Sequence, residues 1–281
     1  MDNFVEICYF CAIMLGFSLK PYKLGIVLSG GGARGFAHCG ALQALEEMGL
    51  RPDAMAGVSA GSVVMSMYAA GLRPKEILKI FTDAKFGDFA ELAMPRDGFF
   101  AMDGFRAMLR KEIPYKDISE LPIPSMVCAT DLDNYKPVAF TEGDIADCVS
   151  ASCSIPIIFK PVKIKGVTYV DGGVTANLPA WALRDKCKYL IGINCSPVPR
   201  RNRPTSIIDI AQRTYDLLVK TNAVPQMELC DLAISINDIA NYKVFNLREI
   251  KRVYQLGYDD TMRTLLNAGF TPQKRETPET D

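Results

Sequence analysis

One pattern, met twice near the start of the chain, constrains the fold more than any other feature: an apolar run, a glycine corner, then a helical stretch. Leu24-Gly25-Ile26-Val27-Leu28-Ser29 is a short apolar run that stops on Gly30, Gly31 and Gly32. The stretch that follows, Phe36 to Met48, spaces Leu42, Leu45 and Met48 at i, i+3 and i+6, as one face of a helix requires. Gly49 ends it. Met55 to Val58 is a second apolar run; it meets Ser59, a small-residue helix over Ala60 to Ala70, and Gly71. Repetition of strand, loop and helix is the rhythm of a sheet with crossover helices. Ser125 to Thr130, Tyr189 to Asn194 and Leu232 to Ile236 read as further buried strands. Ile207 to Val219 and Arg248 to Leu266 read as helices. The expected fold is three-layer α/β/α with a mostly parallel central sheet.

Composition narrows the class. With 281 residues, 49% hydrophobic and 23% charged, the chain can bury a sizeable core. Lys and Arg together number 32, as do Asp and Glu, and this zero net charge argues against a nucleic-acid partner. Nine cysteines, odd in number and unevenly spaced, suit small buried hydrophobes in a reducing, cytoplasmic compartment better than a disulfide framework. A single histidine and one C-x-x-C, Cys8 and Cys11, imply no metal site. Residues 23–270 read as a single domain, flanked by an apolar extension over 1–22 and a polar tail over 271–281. The extension is almost wholly apolar from Phe4 to Phe17, yet shorter than the roughly 20 residues that span a bilayer. Asp2 and Glu6 also stand where a signal peptide would be positive. Three readings stand: an interfacial anchor in peripheral membrane contact, a strand or helix docking on the body, or an added segment with Met14 an alternative start.

Phe81, Phe86, Phe89, Phe99, Phe100 and Phe105 crowd six of the 14 phenylalanines into one segment, joined by Met94, Met102 and Met108. It reads as a helical layer packed on the core or as the wall or lid of an apolar pocket.

Gly30, Gly32 and Gly35 satisfy G-x-G-x-x-G between a strand and a helix, so a nucleotide site must be weighed. A dinucleotide fold wants an acidic residue at the end of the second strand; Asp53 precedes that strand instead. The same loop has another use. Amides at a glycine turn and a helix start form a concavity for negative charge, including a developing oxyanion, and Arg34 adds positive charge.

Gly57-Val58-Ser59-Ala60-Gly61 is G-x-S-x-G at a strand-to-helix corner, the context in which that motif exposes a nucleophilic serine. A nucleophile needs a base. His38 is the chain's one histidine, but it lies on the helix opened by the glycine loop, where packing or holding the loop is the plainer role. The alternative is a carboxylate, and Tyr169-Val170-Asp171-Gly172-Gly173 supplies one. Taken alone, V-T-Y-V-D-G-G-V-T reads as a β-hairpin turn.

Four blocks together resemble the patatin-like phospholipase family: the loop Gly30 to Gly35 continued by His38 and Gly40, the corner Gly57 to Gly61, Ala151-Ser152-Cys153-Ser154-Ile155-Pro156-Ile157-Ile158-Phe159, and Asp171-Gly172-Gly173. The chain looks most like the compact bacterial members. The resemblance implies an acyl hydrolase with Ser59 as nucleophile and Asp171 as proton acceptor. Gly30, Gly31, Gly32, Ala33, Arg34 and Gly35 would form the oxyanion hole, and Gly57, Gly61, Gly172 and Gly173 would support the motifs. No cofactor or metal is implied. The expected partner is a lipid or other acyl-ester substrate, and the oligomeric state is left open. Two rivals stand beside it: a non-catalytic lipid-sensing module on the same fold, and a nucleotide-binding enzyme using the glycine loop.

Overall fold

Apolar runs too short for helices become strands of one sheet. A computed structural model describes residues 20–83, 91–92, 100–197, 206–242 and 247–272. Its strands are β1 (Tyr22–Leu28), β2 (Ala54–Val58), β3 (Glu91–Leu92), β4 (Phe100–Ala101), β5 (Ser125–Asp131), β6 (Lys136–Phe140), β7 (Val162–Ile164), β8 (Val167–Asp171), β9 (Cys187–Asn194) and β10 (Leu232–Ser235). Its α-helices are α1 (Ala37–Glu47), α2 (Ala60–Ala69), α3 (Pro74–Asp83), α4 (Asp103–Glu112), α5 (Ile145–Ser152), α6 (Ala180–Leu183), α7 (Ile207–Glu228) and α8 (Ile250–Asn267).

The central sheet runs β10-β9-β1-β2-β5-β8-β7, with β6 also on β5. The first five of these strands are parallel, whereas β6, β7 and β8 are antiparallel additions, so the sheet is mixed. Helices cover both faces, and the alternation of side chains along each strand divides the core accordingly. Ile26, Leu28 and Met55 pack on one side with Leu42, Leu45, Val64, Val253 and Leu265. Val27, Ala54, Ala56 and Val58 pack on the other with Leu178, Ala180 and Leu183. Each fully buried Leu, Ile or Met stabilises the fold by roughly 1.5–3 kcal/mol. Helices α1 and α8 approach so closely that a Cβ on Gly40 would fall on the Tyr254 carbonyl, and one on Gly257 on that of Ala37. Gly40 is therefore a packing residue.

Two expectations change. A hairpin does join β7 and β8, but its turn is Lys165-Gly166, both at positive φ (49° and 85°), as a type I′ turn demands. Asp171-Gly172-Gly173 lies at the far end of β8, where Gly172–Val174 form a 3₁₀ turn. Helix α7 runs beyond Val219 to Glu228, carrying Pro225 in its last turn. Of the phenylalanine-rich segment, Phe81, Met102 and Phe105 are buried in the core. Residues 84–90 and 93–99 lie outside the described residues, as do 1–19, so the readings of a pocket wall and of an N-terminal extension fall there. Among the described residues no helix is long and apolar enough to cross a membrane.

Candidate active site

Register decides where the candidate residues meet. Strand β5 has two edges but three partners. Residues Val127 to Asp131 pair with β6 along one edge. On the other edge β2 pairs as far as Val58 opposite Cys128, and β8 continues from there with Asp171 opposite Ala129. Two strands thus abut end to end. Ser59 follows Val58 at one end and Asp171 closes the other.

Ser59 sits at φ 50° and ψ −125°, a backbone conformation rare for a residue with a side chain, which is the strained elbow expected of G-x-S-x-G. Its carbonyl accepts the N–H of Ser62 (2.8 Å) and of Val63 (3.2 Å), starting α2 at once. The turn is too tight for side chains at its flanks. A Cβ on Gly57 would lie 2.6 Å from the Gly61 carbonyl, and one on Gly61 would lie 2.5 Å from that of Ser29.

Asp171 is fully buried. Its Oδ1 accepts the N–H of Gly173 (2.7 Å), its own N–H donates to the Ser154 carbonyl (2.9 Å), and its carbonyl accepts the Thr130 hydroxyl (3.0 Å). The hydroxyls of Ser59 and Tyr215 approach the carboxylate near enough to stabilise its charge, though neither closes a hydrogen bond to the buried Oδ2. Burial pushes the carboxyl up to about 6, against the opposing pull of Ser59, Gly173 and Tyr215. Gly172 begins the turn, and a Cβ there would lie 2.6 Å from the Cys128 carbonyl.

The third sequence block, quoted above with no role attached, bridges the two. Ser152 Oγ accepts the N–H of Ser59 (2.8 Å) and donates to the Cys128 carbonyl (2.6 Å), while Ser154 receives the Asp171 amide.

The glycine loop lies alongside. Gly32–Phe36 form a 3₁₀ turn ahead of α1, with Gly32 at φ 56°. The Gly30 amide is already spent on the Asn177 carbonyl (3.1 Å), and that of Arg34 on the Gly31 carbonyl (3.2 Å). Gly30 therefore anchors the loop instead of facing a ligand with its N–H. Gly35 packs against Ala60. The Arg34 guanidinium is buried and donates to the Pro197 carbonyl (2.7 Å).

His38 is fully buried and stands apart from this chemistry. Nε2 lies 2.8 Å from the Ser29 carbonyl, which can only accept, so Nε2 carries the proton and Nδ1 faces the Cys195 thiol at 3.4 Å. Burial pushes its pKa down to about 4. The ring ties the ends of β1 and β9 together beneath the loop.

Gly31, Gly32, Arg34, Ser59, Ile155, Asn177 and Ser196 border a cavity of about 30 Å³, lined on its α7 side by Gln212, Tyr215, Asp216 and Val219. It holds little more than a water. Asn222, on the same face of α7, donates to the carbonyls of Gly173 (2.8 Å) and Val174 (3.3 Å) and accepts the N–H of Asn177 (2.9 Å). Ser152 and Ser154 could have been suspected from their motif. Nothing in the sequence marks Tyr215 or Asn222.

Comparison with known proteins gives the following. The family described as patatin-like phospholipase matches residues 26–184. The protein YqhO of Bacillus subtilis is 30% identical over 229 residues, covering 69% of this chain and 78% of that protein. An NTE family protein of Mycobacterium tuberculosis is 33% identical over 160 residues, 56% of this chain and 44% of the relative. The lysophospholipase NTE1 of Scheffersomyces stipitis is 28% identical over 186 residues, 63% of this chain and 12% of the relative. The chain thus spans a part of the mycobacterial and fungal relatives. Among solved structures, VipD from Legionella pneumophila superposes with a TM-score of 0.46 at 15% identity, covering 88% of this chain and 67% of that one.

Proposed function

Since the chain belongs to the patatin-like phospholipase family, we propose that it is a serine acyl hydrolase that cleaves carboxylic esters of lipids, with Ser59 as nucleophile and Asp171 as its base. The abutment of β2 and β8, which sets the serine elbow beside a buried carboxylate, carries this reading. Residues 23–270 act as one hydrolase domain, since β1 and β10, from opposite ends of it, share a sheet and α8 packs on α1.

In the proposed reaction Asp171 takes the proton of Ser59 as its Oγ attacks the ester carbonyl. A carboxyl held at about 6 is a better base than an ordinary aspartate near 3.9, yet it is ionised at neutral pH. The oxyanion is received by the amides of Gly31 and Gly32, which border the cavity and are not spent within the loop as those of Gly30 and Arg34 are. The buried Arg34 charge favours the same anion. Departure of the alcohol leaves an acyl-Ser59, which water clears with Asp171 again accepting the proton.

The lysophospholipase name of the fungal relative makes single-chain phospholipids the first substrates to try. A nucleotide on the glycine loop is disfavoured by the engaged Gly30 amide and by the small cavity. Fluorophosphonate labelling tests the proposal: the probe should modify Ser59, and Ser59→Ala should abolish both labelling and ester turnover. Labelling at another serine would overturn it.

A further inference from the structure

Helix α7 is two-faced in an inverted sense. Its inward face lines the Ser59 cavity through Gln212, Tyr215, Asp216 and Val219, and Asn222 holds the turn that carries Asp171. Its outward face bears Ile207, Ile210, Leu217, Leu218 and Val224, each between 44% and 84% exposed. Ile210, Leu217 and Val224 recur every seven residues, with Thr214 and Thr221 between them, so the exposed apolar groups form one stripe along the helix. From Ile207 to Val224 the stripe is about 26 Å long at the 1.5 Å rise of a helix. Between Ile210 and Val224, Lys220 is the one charged residue of the exposed class.

We infer that this outward face of α7 docks on a neutral or zwitterionic lipid surface, and that docking draws the helix away from the cavity it lines. The inference rests on the lipid-ester hydrolase reading. Three observations select a lipid surface. The cavity, at about 30 Å³, has no room for an acyl chain, and α7 forms one wall of it, so displacement of α7 would widen the approach of a lipid ester to Ser59. The far side of that wall is apolar, which joins surface contact to access. A nearly uncharged stripe suits an interface without strong charge. Five aliphatic side chains also fall short of the roughly 800 Å² per partner that a standard protein interface buries, which argues against a second copy.

The test uses the full chain with vesicles of phosphatidylcholine alone and of phosphatidylcholine mixed with phosphatidylglycerol. The protein should co-sediment with both, to within about twofold, since the stripe attracts by apolar area and not by charge. Leu217→Ser with Val224→Ser should weaken that binding by about tenfold or more, and lower turnover of a vesicle-borne ester, while a soluble short-chain ester is hydrolysed as before. Thr214→Leu with Thr221→Leu fills the two polar gaps and should tighten binding. Vesicle binding indifferent to both pairs overturns the inference, as does a stripe variant that merely converts a dimer to a monomer. Stripe-dependent binding by a protein that hydrolyses no ester keeps the docking face and removes the hydrolase reading.

Discussion

The backbone N–H of Ser59 donates to the hydroxyl oxygen of Ser152 at 2.8 Å, and that hydroxyl donates onward to the Cys128 carbonyl at 2.6 Å. One side chain, 93 residues along the chain, thereby satisfies the buried amide of a strained corner and fastens it to the neighbouring strand. Ser152→Ala would orphan that amide and the carbonyl together. An unsatisfied buried polar group costs about 1–3 kcal/mol. Urea denaturation should show a loss of that size, with a lower kcat because the elbow is no longer fixed. An unchanged midpoint would mean the corner holds without Ser152.

Asp171→Asn should trade activity for stability. The folded carboxyl is raised to about 6 from 3.8, so between those values the folded state binds more protons than the unfolded one. Stability contributed by this group is present below pH 3.8 and lost as pH rises through 6, leaving a cost of roughly 3 kcal/mol at neutral pH. Asparagine removes that cost. The variant should melt higher than the parent at pH 8, match it at pH 4, and show no turnover. Wild-type kcat/KM should fall below about pH 6 as the base is protonated.

His38→Gln should behave in the opposite way. Burial lowers the imidazole from 6.5 to about 4, so the unfolded chain takes up the proton first as pH falls. Its stabilising share is complete above pH 6.5 and declines toward pH 4, by roughly 3 kcal/mol. The variant should lose that slope and some stability with it, because its contacts to Ser29 and Cys195 go. Activity of the folded variant should stay within about tenfold, against the ~10⁴-fold expected for a missing triad member. Complete loss in a well-folded variant would make His38 the base and end the dyad assignment.

Tyr215→Phe separates a positioning role from a packing one. The Tyr215 hydroxyl stabilises the Asp171 carboxylate, so its removal should raise the carboxyl pKa and move the acidic limb of kcat/KM to higher pH. The plateau at pH 8 should be nearly unchanged. A limb that stays in place would show that Tyr215 only fills space.

Gly31→Ala probes the oxyanion loop. A Cβ at Gly31 would lie 2.8 Å from the Cys195 carbonyl, so the loop must shift and carry its amides with it. Loss of one oxyanion donor typically lowers kcat by roughly 100- to 1000-fold. Near-normal turnover in the folded variant would place the oxyanion elsewhere.

Much of this protein is legible along the chain because the signals are local. Glycines around Ser59 and after Leu28 announce corners that side chains would block, and three-residue spacing announces α1. Backbone geometry of that kind depends on a residue and its near neighbours. The Asp171-Gly172-Gly173 block was visible too, although its local pattern suggested a hairpin turn that the structure places at Lys165-Gly166. What only the tertiary structure decided is how these pieces meet. β2 and β8 share one edge of β5 because β6 holds the other, and that competition for hydrogen-bonding edges brings Val58 and Asp171 to adjacent levels. The coupling of Ser152 to Ser59 and the lining of the cavity by Tyr215 arise the same way, from strand register and helix docking between segments far apart in sequence. No nearest-neighbour pattern records such contacts, because they are fixed by the joint packing of the whole sheet and its two helical layers.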